Sequence, residues 1–73
     1  MIGVESSMIE AIGYDPSELK LRVKFKKGGQ TFVYLGVSED VYLGMLETDS
    51  IGKYFHSKIK GKYEFSAEVK NDG

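Results

Sequence analysis

The strongest candidate for chemistry in the sequence is Ser50-Ile51-Gly52-Lys53, which stands where a helix is predicted to begin. A helix N-terminus presents free backbone N–H groups and a positive dipole end. Ser50 adds a hydroxyl, Gly52 removes side-chain bulk and Lys53 brings a full positive charge, which together describe a small phosphate cradle. A serine N-cap followed by a surface lysine explains the same residues, because serine caps are common. Both interpretations stay open.

Two basic stretches offer further contacts to an anion. Residues 20 to 27 hold five basic side chains and residues 53 to 62 hold four lysines, with no acid in either stretch. In the first stretch the basic residues alternate with apolar ones, so they are expected on one strand face, where they either solubilise the sheet or follow a phosphate backbone. The residues expected to complete a site beside the helix start are Arg22 and Lys24, or Ser6 and Ser7 from the N-terminal segment.

Tyrosine rings offer another kind of contact, since aromatic faces are sequence-tolerant platforms for nucleobases. Four of the five tyrosines lie on predicted apolar stripes, where core packing explains them. Tyr14 stands beside a predicted turn and is expected to be the freest to stack on a ligand.

The residue types argue against catalysis. The chain has no cysteine and one histidine, His56, which excludes a thiolate zinc site, a histidine metal cage and a cysteine nucleophile. No acidic residue stands three or four positions from His56 to orient it, so a solvated surface histidine is expected. No glycine-rich loop matches a phosphate-loop or dinucleotide fingerprint. We therefore expect a protein that is not an enzyme and that has no metal or cofactor.

Alternation of apolar and polar residues predicts the sheet that must carry these groups. Met8 to Tyr14 is a first strand, which ends at the turn Asp15-Pro16-Ser17. Leu19 to Lys26 has period two, and Gln30 to Val37 returns after the turn Lys27-Gly28-Gly29. Loop parity then pairs odd residues of one strand with even residues of the next. The face expected to be buried carries Leu19, Leu21, Val23, Phe25, Phe32 and Tyr34, and the other face carries the basic residues with Thr31 and Val33.

A change of period after the return strand predicts two short helices. Ser38 is the expected N-cap of the first helix and Ser50 of the second, with Gly61 just past the end of the second. A last short strand or extended tail is expected within 62–69, with a frayed end at about 70–73. The apolar stripes of the two helices are Val41, Tyr42, Met45 and Leu46, then Ile51, Tyr54, Phe55 and Ile59.

The expected fold class is α+β. It comprises one domain over residues 1–73, with a small antiparallel β-sheet of three strands, or four with the short last one, packed with two short α-helices. A hydrophobic content of 41% is that of a folded domain, and a net charge of −1 gives no bulk attraction for nucleic acid. No apolar run approaches the ~20 residues of a membrane span, so we expect a cytoplasmic protein without membrane contact.

Several short segments carry a family resemblance through their order and spacing. They are Ser6-Ser7-x-Ile9, Ile12-Gly13-Tyr14-Asp15, Phe32-x-Tyr34, Val41-Tyr42 and Ser50-x-Gly52-x-Tyr54-Phe55. From about Val4 to Tyr63 the chain resembles the KTSC domain, a small module named for the C-terminus of some lysyl-tRNA synthetases and also found as a stand-alone bacterial and phage protein. The central Tyr-x-Tyr of the family is Phe32-x-Tyr34 here, so any role of the first tyrosine hydroxyl is lost or unnecessary.

The resemblance implies non-catalytic binding, with RNA the usual suggestion for the family. Small stand-alone phage proteins of this general kind can also act as sponges that sequester cyclic nucleotide immune signals. Three hypotheses follow: an oligomeric phage-type sponge that holds a small cyclic nucleotide and so blocks host immune signalling, an RNA-binding accessory domain, and a structural or protein-interaction domain. The sponge is favoured because the module stands alone on its chain, and it would act in the cytoplasm of the bacterial host if phage-encoded.

We predict a homo-oligomer, because a chain of 73 residues without disulfides has a small core and gains stability by pairing. Light scattering at micromolar concentration should give a multiple of the 8.2 kDa chain mass. A single species at the chain mass would contradict this prediction.

Overall fold

Five strands in chain order form an antiparallel sheet in the computed structural model, which describes residues 2–4 and 6–68. The two helices lie in the chain between the fourth and fifth strands. The strands are β1 Ile2–Gly3, β2 Ile9–Asp15, β3 Lys20–Phe25, β4 Thr31–Leu35 and β5 Phe65–Glu68, and the helices are α1 Glu39–Glu47 and α2 Ile51–Lys58. The expected frayed end at about 70–73 lies outside the described residues.

The α+β class is confirmed, but the described part of the chain has five strands rather than three or four. β1 has two residues, too few for an alternating pattern to reveal, and pairs with β2 through Ile2 and Ile12. β5 is the expected last strand with four residues, and it pairs with β4. The sequence prediction was therefore incomplete at the edges of the sheet.

The β3–β4 hairpin has the register that loop parity predicts. Leu21 pairs with Tyr34, and Gly28 and Gly29 make the turn with φ angles of 80° and 63°, which glycine adopts without strain. The predicted face is confirmed. Leu21, Val23 and Tyr34 are buried, and Phe25 and Phe32 are half-buried.

Leu19 departs from the predicted strand. It lies in the turn before β3 with a φ of 55° and is 45% exposed, so it does not belong to the buried face. The turn begins at Asp15, whose carboxylate accepts hydrogen bonds from the backbone N–H and the hydroxyl of Ser17, at 3.0 and 2.6 Å. This tight turn delays the start of β3 by one residue, which the period-two pattern alone did not indicate.

Both helices pack on the sheet face that carries Leu21 and Tyr34. The ring of Phe55, in α2, meets the rings of Tyr34 and Phe25 edge-on, with centroids 5.5 and 5.4 Å apart. The other sheet face has no helix on it within the described residues. The buried core consists of Ile9, Ile12, Leu21, Val23, Tyr34, Val37, Met45, Ile51, Phe55 and Ile59.

Both helices begin directly after the predicted serines. Ser38 and Ser50 have the extended backbone of N-cap residues, but neither side chain makes a cap hydrogen bond. Leu46 was expected on the buried stripe of α1 but is 43% exposed, because the helix turns its Met45 side to the core. Neither described helix has the length and apolarity needed to cross a membrane.

Tyr14 connects β2 to α1 and to the segment before it. Its hydroxyl donates a hydrogen bond of 2.6 Å to the carbonyl of Val37, and its ring stacks on Tyr42 of α1 with centroids 5.0 Å apart. Burial, and then the carboxylates of Glu39 and Asp15, raise the pKa of Tyr14 above its ordinary value of 10.0. The tyrosine expected to be freest is therefore a packing residue.

The two helices approach closely at Gly44 of α1. The hydroxyl of Tyr54, in α2, donates a 3.1 Å hydrogen bond to the carbonyl of Val41. A Cβ at Gly44 would overlap the hydroxyl and ring of Tyr54. At Gly52, by contrast, a Cβ would stand 3.6 Å from Cε of Met8, an ordinary contact.

We predict opposite effects for alanine at these two helical glycines. Gly44→Ala should lower the free energy of unfolding by about 1–3 kcal/mol, as overpacking does, because Tyr54 must leave its position against Val41. Gly52→Ala should raise it by up to about 1 kcal/mol, since alanine is the better helix former. Urea unfolding followed by circular dichroism measures both, and equal effects would contradict the close approach at Gly44.

The raised pKa of Tyr14 predicts a pH dependence of stability. The unfolded chain loses the phenol proton at lower pH than the folded chain does. The stabilisation is therefore complete below about pH 10 and is lost as the pH rises through the folded pKa. Tyr14→Phe should make the decline of the unfolding free energy at alkaline pH shallower, leaving the part due to Tyr34, whose pKa burial also raises. Urea unfolding at several alkaline pH values tests this, and parallel curves for variant and parent would contradict it.

Candidate functional site

The N-terminus of α2 brings together part of the predicted phosphate cradle. Ser50 is exposed, and its side chain makes no cap hydrogen bond to α2. Its backbone N–H donates a hydrogen bond of 3.3 Å to Oγ1 of Thr48. Lys53 is exposed on the first turn. Ser6 lies beside this turn, with Oγ 4.0 Å from where a Cβ on Gly52 would stand.

The hydroxyl of Ser6 already has a structural task. Its oxygen accepts hydrogen bonds from the backbone N–H groups of Met8 and Ile9, both at 3.1 Å. These bonds organise the entry into β2. Ser6 thus lies where the prediction placed it, with its acceptor capacity largely used by the backbone.

Arg22 and Lys24 do not reach the N-terminus of α2, which corrects the expectation that they would complete a pocket there. Along β3 they alternate with Leu21 and Val23, and those apolar residues face the helices, so the sheet itself separates the cations from α2. The basic face of β3 is paired with carboxylates instead. The ion pairs are Lys20 to Glu18 at 3.3 Å, Arg22 to Glu68 at 3.0 Å and Lys24 to Glu10 at 3.1 Å.

A different site lies on the helix side of the sheet, where aromatic residues extend beyond the cover of the helices. One cavity of about 500 Å³ and a second of about 370 Å³ share the side chains of Met8, Phe25 and Phe32. We call the two cavities together the aromatic groove, the larger the Phe65 lobe and the smaller the Lys27 lobe. The Phe65 lobe is further lined by Tyr34, Phe55, His56, Lys60, Gly61 and Phe65, and the Lys27 lobe by Ser7, Lys27 and Gln30.

Strand pairing builds the aromatic wall of the groove. β5 pairs Phe65 with Tyr34, which brings their ring centroids to 5.3 Å. The ring of Phe32 lies 5.6 Å from that of Phe65 and 5.5 Å from that of Phe25. Phe65 is 57% exposed, which is a large exposed fraction for an aromatic side chain that packs against other rings.

The rim of the groove is basic. Lys27 and Lys60 are exposed at its two lobes and His56 is exposed beside Lys60. Among the described residues, no acidic side chain lines either lobe. Burial raises the pKa of Tyr34, so its phenol stays neutral. Aromatic faces beside ammonium groups can hold a flat aromatic group that carries negative charge.

Sequence reasoning missed the groove because residues far apart in the chain form it. Lys27 and Lys60 were noticed only as members of basic stretches, and Phe65 only as one residue of a last strand. Ser7, predicted beside α2, lines the Lys27 lobe. The available signal was that both basic stretches border aromatic residues, but the pairing of β5 with β4 was needed to join them.

The described residues contain no group of three His, Asp or Glu side chains placed to hold a metal ion. His56 is exposed and packs against the edge of Phe55, with ring centroids 5.8 Å apart. The chemistry that the groove itself offers is stacking, apolar contact and attraction of anions.

Comparison with known proteins agrees with this architecture. The KTSC domain family model matches residues 5–63, a span that ends before β5. A protein from Tsukamurella paurometabola is 40% identical over 60 residues, covering 82% of this chain and 88% of that protein. A protein from Stutzerimonas stutzeri is 32% identical over 62 residues, covering 85% and 86%.

A solved structure has a closely similar fold over most of the chain. The crystal structure of a KTSC domain protein from Yersinia pestis matches this chain with a TM-score of 0.88 and 37% identity, over 92% of this chain and 93% of that one. Together with the family match over most of the sequence, this likeness shows that the chain belongs to the KTSC domain family.

Proposed function

We propose that this KTSC domain is a non-catalytic nucleotide-binding module that holds its ligand in the aromatic groove. The observation that supports the proposal is the combination of exposed aromatic faces with rim lysines, in a groove that no acidic side chain of residues 2–4 and 6–68 lines. A nucleotide has the complementary parts, a flat base and a charged phosphate. The base would stack at Phe65 and Phe32, and the phosphate would reach Lys60.

The N-terminus of α2 remains a second candidate position for the phosphate. It offers backbone donors and Lys53, but the aromatic contacts that a base needs lie in the groove. The groove provides for both parts of a nucleotide and is therefore the favoured position.

Binding without chemistry suits sequestration. A domain that buries a small cyclic nucleotide and returns it intact would act as a sponge, and in a phage-encoded form it would block host immune signalling. The family resemblance motivates this finer proposal. Sequestration is stoichiometric, because one protein site removes one signal molecule. The ligand must therefore bind tightly and be released unchanged.

RNA binding is the alternative, and the ion pairs of β3 speak against its simplest form. A basic strand face that tracks phosphates needs unpaired cations, whereas Lys20, Arg22 and Lys24 each have a carboxylate within 3.3 Å. RNA would instead have to bind as a single strand, with its bases stacked in the aromatic groove. A structural or protein-interaction role, the remaining alternative, requires neither ligand.

We predict that two groove substitutions weaken the binding of a nucleotide identified by thermal-shift screening of a panel. Phe65→Ala should cost about 1–3 kcal/mol of binding free energy, the worth of one stacked base. Lys60→Gln should weaken binding by roughly tenfold through loss of a charged contact, about 1.4 kcal/mol. Titration calorimetry measures both, and the exposed Lys58→Gln, outside the lining of the groove, is the matched control.

Lys53→Gln distinguishes the two candidate positions. If it weakens binding while Phe65→Ala and Lys60→Gln do not, the ligand lies at the N-terminus of α2 and the groove assignment is wrong. Unfolding of each variant separates lost binding from lost folding. Chromatography of the ligand after denaturation should recover it unchanged, and a steep salt dependence with oligonucleotides only would favour RNA.

A further inference from the structure

The aromatic groove has two lobes of different character. Apart from His56 and Lys60, the side chains that line the Phe65 lobe are aromatic or apolar, while the Lys27 lobe also has the polar side chains of Ser7 and Gln30. At about 500 and about 370 Å³, each lobe by itself falls within the range of roughly 300–1,000 Å³ for small-molecule sites. One mononucleotide base in the Phe65 lobe leaves the other lobe unused.

We infer that the groove binds a dinucleotide, with one base in each lobe, an inference that rests on the proposed function. Phe25 and Phe32 line both lobes, and their rings stand at 61° with centroids 5.5 Å apart. Their faces therefore point in different directions, so the two rings can stack on two bases that are not parallel to each other.

The positions of the cations match the charge of such a ligand. Lys27 belongs to the lining of one lobe and Lys60 to that of the other, and no acidic residue in the part of the chain that the structure describes lines either lobe. Two separated positive groups fit phosphates distributed along a molecule better than phosphate at one end. A dinucleotide, linear or cyclic, has its phosphates between and beside the two nucleosides.

The polar residues of the Lys27 lobe suggest that its base is read more selectively. The amide of Gln30 can both donate and accept hydrogen bonds, and Ser7 offers a hydroxyl. The Phe65 lobe offers mainly faces for stacking, which accept any base. The second base should thus decide which dinucleotide is preferred.

The test compares adenosine and guanosine monophosphates with the corresponding linear and cyclic dinucleotides by titration calorimetry. At least one dinucleotide should bind about tenfold or more tightly than either monophosphate, because its second base binds at high effective concentration. Lys27→Gln should remove most of that gain, because it should weaken dinucleotide binding several-fold more than monophosphate binding. Lys26→Gln is the matched control, since Lys26 is an exposed neighbour in the same turn and does not line the groove.

The outcomes separate this inference from the proposed function. Monophosphates and dinucleotides that bind equally well, with no effect of Lys27→Gln, would overturn the two-lobe inference and leave the nucleotide site intact. If no mononucleotide or dinucleotide binds, both proposals are wrong. If affinity keeps rising for oligonucleotides longer than two, the groove is part of an RNA site and the dinucleotide assignment is overturned.

Discussion

The register of the β3–β4 hairpin is the constraint on which the rest of the structure depends. It places Leu21, Val23 and Tyr34 under the helices and the cations of β3 on the opposite face. A slip of one residue would send those cations into the core, where an unpaired charge costs several kcal/mol. The positive φ angles of Gly28 and Gly29 hold the turn that sets this register.

The placement of apolar and aromatic residues on one face of the sheet creates both the core and the groove. The aromatic stripe of the sheet continues toward the hairpin turn, but α2 ends at Lys58, and Gly61, with a φ of 78°, follows the helix. Phe25 and Phe32 therefore lie at the limit of the helical cover, half-buried rather than buried. A hydrophobic surface that the fold leaves open beside lysines is a surface suited to binding.

Local rules were sufficient for the features that depend on neighbouring residues. The two helix starts, the hairpin turn and the facing of Phe32 and Tyr34 were predicted from serine positions, glycines and parity within short segments. The contacts of Tyr14 with Val37 and Tyr42 join distant segments, and no local pattern distinguishes such a tyrosine from a free one. The site predicted at residues 50–53 was likewise inferred from a motif of neighbouring residues.

Long-range pairing limited the prediction of the candidate site. The sequence indicated that Arg22 and Lys24 share a strand face, but not that Glu68 and Glu10 would neutralise them. The groove depends on where β5 pairs, which lies many residues from β4 along the chain. For this reason a cluster of aromatic residues from β3, β4, α2 and β5 could not be read from spacing alone.

The chain connectivity of β5 has a further consequence, for conformational entropy. β2, β3 and β4 are joined by short turns, whereas Gly36 to Glu64 separates β4 from β5. Closing a loop costs more as it lengthens, by about 0.6 kcal/mol for each doubling. All four residues of β5 are exposed, so this strand contributes little burial against that cost. The pairing of β5 with β4, which holds Phe65, therefore has little burial to support it. A ligand stacked on Phe65 would add contacts that β5 lacks on its own.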